Sequence, residues 1–142
     1  EGEALARDLS QRIEALEGVR QALEKHAEDA PEAARDALLE RLRSLGLDLD
    51  PADERVLKEL AFHAERADIS EELTRLASHS RQFREFIGAN EPVGRRMDFL
   101  CQEIHRELNT IGSKTTRVAV TQSVIDGKNR LEQLREQVQN VE

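Results

Sequence analysis

No glycine or proline interrupts the chain between Pro51 and Gly88. Within that stretch Phe62, Ile69, Leu73, Leu76, Phe83 and Ile87 recur with a period of about 3.5 residues. A long segment that lacks helix breakers and carries one apolar stripe buries that stripe most readily as a helix laid against other helices. The pattern predicts one continuous helix of about ten turns. Asp68-Ile69-Ser70-Glu71 offers the alternative, because an acid with a Glu three residues on resembles a capping box and can start a new helix. The unbroken apolar period favours continuity.

The same arithmetic organises the rest. Leu5, Leu9, Ile13, Leu16 and Leu23 recur at threes and fours, with Arg20 at one intermediate step, predicting an amphipathic helix to about His26. Pro31 suits the first turn of a second helix, whose Leu38, Leu42 and Leu45 face one way until Gly46 stops it. Asp50-Pro51 reads as an N-cap with a first-turn proline, and Asp53 and Glu54 suit the positive end of the following helix. Gly88 to Gly94, with Pro92 inside it, is the clearest break. Met97, Cys101, Ile104, Leu108 and Ile111 then form a stripe, Gly112-Ser113 interrupts it, and Val118, Val124, Ile125, Leu131, Leu134, Val138 and Val141 carry a last helix to the end of the chain. The expected fold is all-α: long antiparallel helical hairpins forming a small, coiled-coil-like, oligomerising bundle. Residues 1–142 are read as a single helical domain, with 1–50 as a helical hairpin and 51–142 as the long helices. The seams from Leu5 to Leu23 and from Phe62 to Ile87 carry more apolar surface than two or three helices hide, which points to self-association.

Composition removes several functions. Aromatic residues make up 3% of the chain and Trp and Tyr are absent, the usage of long helices rather than sandwiches or barrels. The lone Cys101 has no partner for a disulfide or a thiolate zinc site and reads as a small buried apolar residue. No run approaches the ~18 apolar residues of a membrane span and no charged-then-apolar leader opens the chain, so a soluble, cytoplasmic protein is expected. The opening Glu1-Gly2-Glu3, without an initiator Met, suggests a piece of a longer protein. The net charge of −8 argues against indiscriminate nucleic-acid binding. The acidity, however, is local. Residues 1–72 hold 20 acids and 10 bases, residues 73–142 hold 9 acids and 11 bases, and Arg95, Arg96, Arg106, Lys114 and Arg117 make a basic stretch that a polyanion would meet.

Two polar rows flank the apolar stripes. Glu65, Asp68, Glu72, Arg75 and His79 are spaced three, four, three and four, which puts them on one face of a continuous helix. Glu103, Glu107, Thr110 and Lys114 share a face of the later helix, next to Asp98, Gln102, Arg106 and Asn109. Carboxylates so arranged can hold a hard divalent cation that activates water at phosphorus, although charged rows on surface helices are more often simply solvated. If the two helices pack antiparallel across the Gly88–Gly94 turn, both rows face one groove. Of the four histidines, His79 and His105 lie beside these rows and are candidate general bases, whereas His26 suits the end of its helix and His63 a surface. No zinc-protease or di-iron spacing is present.

The motifs Ile69-Ser-Glu-Glu-Leu-Thr-Arg-Leu-Ala-Ser-His79, Gln82-Phe83, Pro92-Val-Gly-Arg-Arg-Met-Asp-Phe-Leu100, Gln102-Glu103, Arg106-Glu107 and Asn109-Thr-Ile-Gly-Ser-Lys114, with the ending Leu134 to Glu142, resemble the C-terminal domain of the YicC-like endoribonuclease family. The match covers about residues 60 to 142. His105 departs from it, standing where the pattern has Asn. The resemblance implies a two-domain, stress-induced protein in a ring-like oligomer, a hexamer when intact and as little as a dimer for this fragment, that cleaves single-stranded RNA with manganese or magnesium. Carried onto matching positions, it implies Glu72, Glu103 and Glu107 as metal ligands and His79 as general base or orienting group, these four forming the catalytic set. Arg75, Arg95, Arg96, Arg106, Asn109 and Lys114 are the expected RNA-binding residues. The fragment alone is expected to cut weakly or not at all, because an N-terminal domain would supply part of the RNA clamp. The competing reading is a non-catalytic oligomerisation or RNA-clamping module.

Overall fold

The computed structural model describes residues 2–115 and 117–141; the last residue of the C-terminal motif, Glu142, lies outside them. Six helices follow one another: α1 (Gly2–Ala27), α2 (Ala30–Ser44), α3 (Glu54–Arg66), α4 (Ser70–Ile87), α5 (Gly94–Lys114) and α6 (Val118–Val138). The all-helical expectation holds, and no strand occurs among the described residues. Among the described residues no helix is long and apolar enough to cross a membrane.

Four of the helices close on one another. α1 packs on α6 and α4, and α5 packs on the same two, so each has two neighbours around a shared core. That core contains Ile13 and Leu23 of α1, Leu76 and Phe83 of α4, Met97, Ile104 and Leu108 of α5, and Leu131 and Leu134 of α6. Burying such side chains contributes roughly 1.5–3 kcal/mol each, which is why the apolar period dictates the partners. Gly127 lets α6 sit close: a Cβ there would lie 3.1 Å from Val19 Cγ1 and 3.2 Å from Leu108 Cδ2. At one end Arg117, between α5 and α6, bonds Asp29 at 3.0 Å and the His26 carbonyl at 3.3 Å, tying two turns together; this hydrogen bond holds the Asp29 carboxyl below its usual range.

The other two helices stand apart. α2 and α3 pack on each other, and α2 touches α1 only sparsely; no residue of either helix belongs to the main core cluster. Residues 1–50 therefore do not form a hairpin, contrary to expectation. α1 buries its stripe on α4 and α6, leaving α2 to pair with α3. The Gly46 stop is borne out as a Schellman turn, with φ +82° at Gly46, Leu47 N–H donating to the Leu42 carbonyl at 3.0 Å and Gly46 N–H to that of Arg43 at 3.0 Å.

The single ten-turn helix is overturned. Chain 51–88 is two helices, and the break falls at Ala67-Asp68-Ile69, the capping alternative. Ala67 and Asp68 N–H groups bond the carbonyls of Ala64 and Glu65, both at 3.1 Å, closing α3 tightly. The Asp68 carboxylate accepts from Ser70 N at 2.9 Å and from the Ser70 hydroxyl, offering the backbone an alternative to continued helix. These bonds hold the Asp68 carboxyl below its ordinary value. Glu71 does not complete a capping box; it faces Arg75 at 3.7 Å. The turn lets Ile69 enter the bundle core, 1% exposed, while Phe62, on the same apparent stripe, is left 58% exposed. Three boundaries also move, and one is the end of α6, which stops at Val138 rather than running to the end of the chain. The cap of α3 is Asp53, which accepts from Arg55 N at 2.9 Å, while Asp50 makes the preceding turn by accepting from Ala52 N. Gly112-Ser113 does not interrupt α5, which continues to Lys114.

Candidate functional site

α4 and α5 run antiparallel, so residue numbers rise on one as they fall on the other, and the two polar rows meet. Lys114 Nζ donates to Glu72 Oε1 at 2.7 Å and to the Asp68 carbonyl at 3.0 Å. One turn along, Arg75 Nε donates to Glu107 Oε1 at 2.8 Å, with its Nη2 3.6 Å from Glu72. Beyond that lie His79, Glu103 and Glu107, one ligand atom of each within 4.8 Å of the others.

Burial makes this arrangement more than a solvated row. Glu72 is 3% exposed and Glu107 4%, and a buried carboxylate needs a partner to offset its lost hydration. Lys114 and Arg75 are those partners, and the hydrogen bond to Glu107 raises the Arg75 pKa from its ordinary value. Among the described residues neither ring nitrogen of His79, both buried, has a hydrogen-bond partner, nor does Glu72 Oε2. An imidazole buried with both nitrogens idle beside two carboxylates is costly unless something binds it. One nitrogen and two carboxylate donors fit a divalent cation of the manganese type.

The expected residues are thus redistributed. Glu103 and Glu107 each bring a carboxylate oxygen to one cluster. Glu72 is engaged by Lys114, and the third donor of the cluster is His79. Arg75 and Lys114, expected on RNA, hold buried carboxylates instead. Glu65 lies on α3 and Asp68 in the turn, so the five-residue row does not exist as one helical face; only Glu72, Arg75 and His79 share α4. Arg106 is 3.9 Å from Glu103 and otherwise open. Arg95 and Arg96 sit in the first turn of α5, Arg96 between Glu91 at 3.4 Å and the Phe86 ring at 5.9 Å. Asn109 and His105 are exposed. Helical periodicity could have found His79, which follows Glu72 by seven residues, as a ligand; its unpartnered nitrogens are visible only in three dimensions.

Two open surface grooves, one lined by Pro92, Arg95 and Val138 and one by Arg20, Ser78 and Arg81, include no member of the cluster. The cluster lies between α4 and α5, with His79 and Glu103 half-buried and Glu107 buried.

The class so defined is a four-helix bundle with an acid–imidazole cluster between antiparallel helices and a projecting helical hairpin. Residues 23–142 match the family model described as "Endoribonuclease YicC-like, C-terminal", and the chain belongs to that family. It is 38% identical over 143 residues to a protein of Clostridioides difficile (strain 630) and 35% identical over 142 residues to one of Haemophilus influenzae (strain ATCC 51907 / DSM 11121 / KW20 / Rd), both named probable endoribonuclease YicC. Each match takes in 100% of this chain and 49% of the relative; the chain spans about half the length of these curated relatives.

Proposed function

We propose that this chain is the metal-binding half of an endoribonuclease that cuts single-stranded RNA, working in a self-associated form. The observation that carries the proposal is His79, whose two buried, unpartnered nitrogens lie beside Glu103 and Glu107. In this reading His79, Glu103 and Glu107 hold a divalent cation, manganese fitting the mixed donor set better than magnesium, which favours oxygen ligands. The ion supplies Lewis-acid polarisation of a phosphodiester and activation of a water. Arg75 fixes the Glu107 carboxylate by its 2.8 Å bond, and Lys114 fixes Glu72 and ties the end of α5 to the turn before α4. Arg95, Arg96 and Arg106, exposed along α5, are the side chains left to meet phosphates.

Support for self-association comes from the hairpin rather than from the seams expected to need covering. The stripe of α1 is buried inside the bundle, whereas Leu45 (71%), Leu47, Leu49, Leu57 and Phe62 remain exposed on α2, α3 and their connector. An apolar arm of that kind seeks a partner surface, which also favours the second reading, an assembly module.

The test is cleavage of single-stranded RNA by the full-length protein with manganese, with magnesium and with chelator. Glu107→Gln and His79→Ala are expected to lose cleavage by at least about 100-fold, the scale of losing an essential catalytic group, with far-ultraviolet circular dichroism unchanged. Undiminished cleavage by both variants would sink this site.

A further inference from the structure

The chain has four phenylalanines, and three have an evident setting. Phe83 is in the core, Phe86 packs on it beneath Arg96, and Phe62 lies on the hairpin next to Arg66. Phe99 is different. It stands on the bundle helix α5, 58% exposed, and among the described residues no cation lies over its ring. A single exposed aromatic residue is ordinary; its company is not.

Helical spacing puts Arg95, Phe99, Gln102, Arg106, Asn109 and Ser113 on one stripe of α5, at intervals of four, three, four, three and four. All six are exposed. The stripe contains no acid, although the net charge of the chain is −8. The neighbouring acids are already committed, Asp98 to Arg135 and Gln102, and Glu103 and Glu107 to the cluster. Along the stripe an aromatic ring is bracketed by two guanidinium groups and two carboxamides: the rings of bases stack on the first, phosphates pair with the second, and the third can donate to or accept from base edges. Phe99 precedes Glu103 by four residues, one helical turn or about 6 Å along the axis.

We propose that Phe99 is the stacking platform for a nucleobase of single-stranded RNA, and that it seats the strand along α5 so that a phosphodiester next to the stacked base meets the His79–Glu103–Glu107 cluster. This inference rests on the nuclease reading of that cluster. It names a source of substrate preference. A base inside a duplex has no free face to offer, so the platform selects unpaired strands, and because every base has a π face it selects them with little regard to sequence.

The test uses the full-length protein and a short fluorescent RNA, with a duplex of the same length as control. Phe99→Ala should weaken single-strand binding by about 5- to 150-fold, the range of one lost stacking contact, while manganese affinity and duplex binding stay as in the parent. Phe99→Tyr and Phe99→Trp should restore binding. The emission added by Phe99→Trp, taken as the difference from the parent, should be open to acrylamide before RNA is added and quenched afterwards. Single-strand affinity of Phe99→Ala within twofold of the parent overturns the platform. So does added emission that RNA leaves unchanged, or that is already shielded without RNA, the mark of a protein contact on this face. If the parent cuts RNA and Phe99→Ala cuts and binds equally well, the platform alone falls. If the parent neither binds nor cuts single-stranded RNA, the nuclease reading falls and takes the platform with it.

Discussion

The bundle and the hairpin are built from similar helices but solve different problems. In α1, α4, α5 and α6 every apolar stripe meets stripes from two neighbours, and the side chains between them are nearly inaccessible. In α2 and α3 each helix has one main partner, and only Ala30 and Leu60 are buried on them. Two helices that cover each other on one side cannot hide a full apolar face, so leucines remain in water. The bundle can therefore hold buried carboxylates at fixed separations, while the hairpin leaves Leu45, Leu57 and Phe62 exposed. Position in the packing, not helix propensity, separates the two roles.

The strongest challenge to this contrast is a core truncation. Phe83→Ala is expected to destabilise the chain by about 3–5 kcal/mol in urea titrations, whereas Leu57→Ala on the hairpin stays within about 0.5 kcal/mol; equal costs would mean that the hairpin is as tightly integrated as the bundle. Lys114→Ala leaves the buried Glu72 without its closest cation and should cost about 1–3 kcal/mol. Adding Glu72→Gln should recover part of that loss, and simple additivity of the two would refute the pairing. Leu45→Ser with Leu57→Ser should reduce the assembly size measured by light scattering and leave the unfolding midpoint nearly unchanged. If the assembly persists, its contact surface lies elsewhere. Last, burial raises the Cys101 pKa to about 12, so its thiol stays protonated and sheltered. Iodoacetamide at pH 8 should modify it at a negligible rate until denaturant is added, since the thiolate is the reactive form. Fast labelling would show that the bundle opens around α5.

Most helices were legible because local patterns specify them. The Leu5–Leu23 stripe marked α1, Pro31 and Gly46 bracketed α2, and the Gly88–Gly94 segment separated α4 from α5. The break at Asp68 was harder, because the apolar period of α3 runs in phase with that of α4. A side-chain bond to Ser70 and the separate destinations of Phe62 and Ile69 decided it. In the site, Glu103 and Glu107 were legible as neighbours four residues apart on one helix. A linear reading does not give the distances between side chains on different helices, and so Glu72 was grouped with them, whereas His79 is the third residue with a ligand atom within 4.8 Å of theirs.

Local sequence was enough for an all-helical chain, for the ends of most helices, for an acidic first half and a basic stretch on α5, and for the motifs of the family. Packing alone decided that α1 belongs with α4 and α6, that α2 and α3 project from the bundle, that Lys114 and Arg75 neutralise buried glutamates, and that His79 completes the cluster with Glu103 and Glu107. The physical reason is one of range. Hydrogen bonding and periodicity act over one to three turns and are written along the chain, whereas burial and the pairing of charges depend on residues as far apart as Glu72 and Lys114, which meet only when α4 and α5 lie side by side.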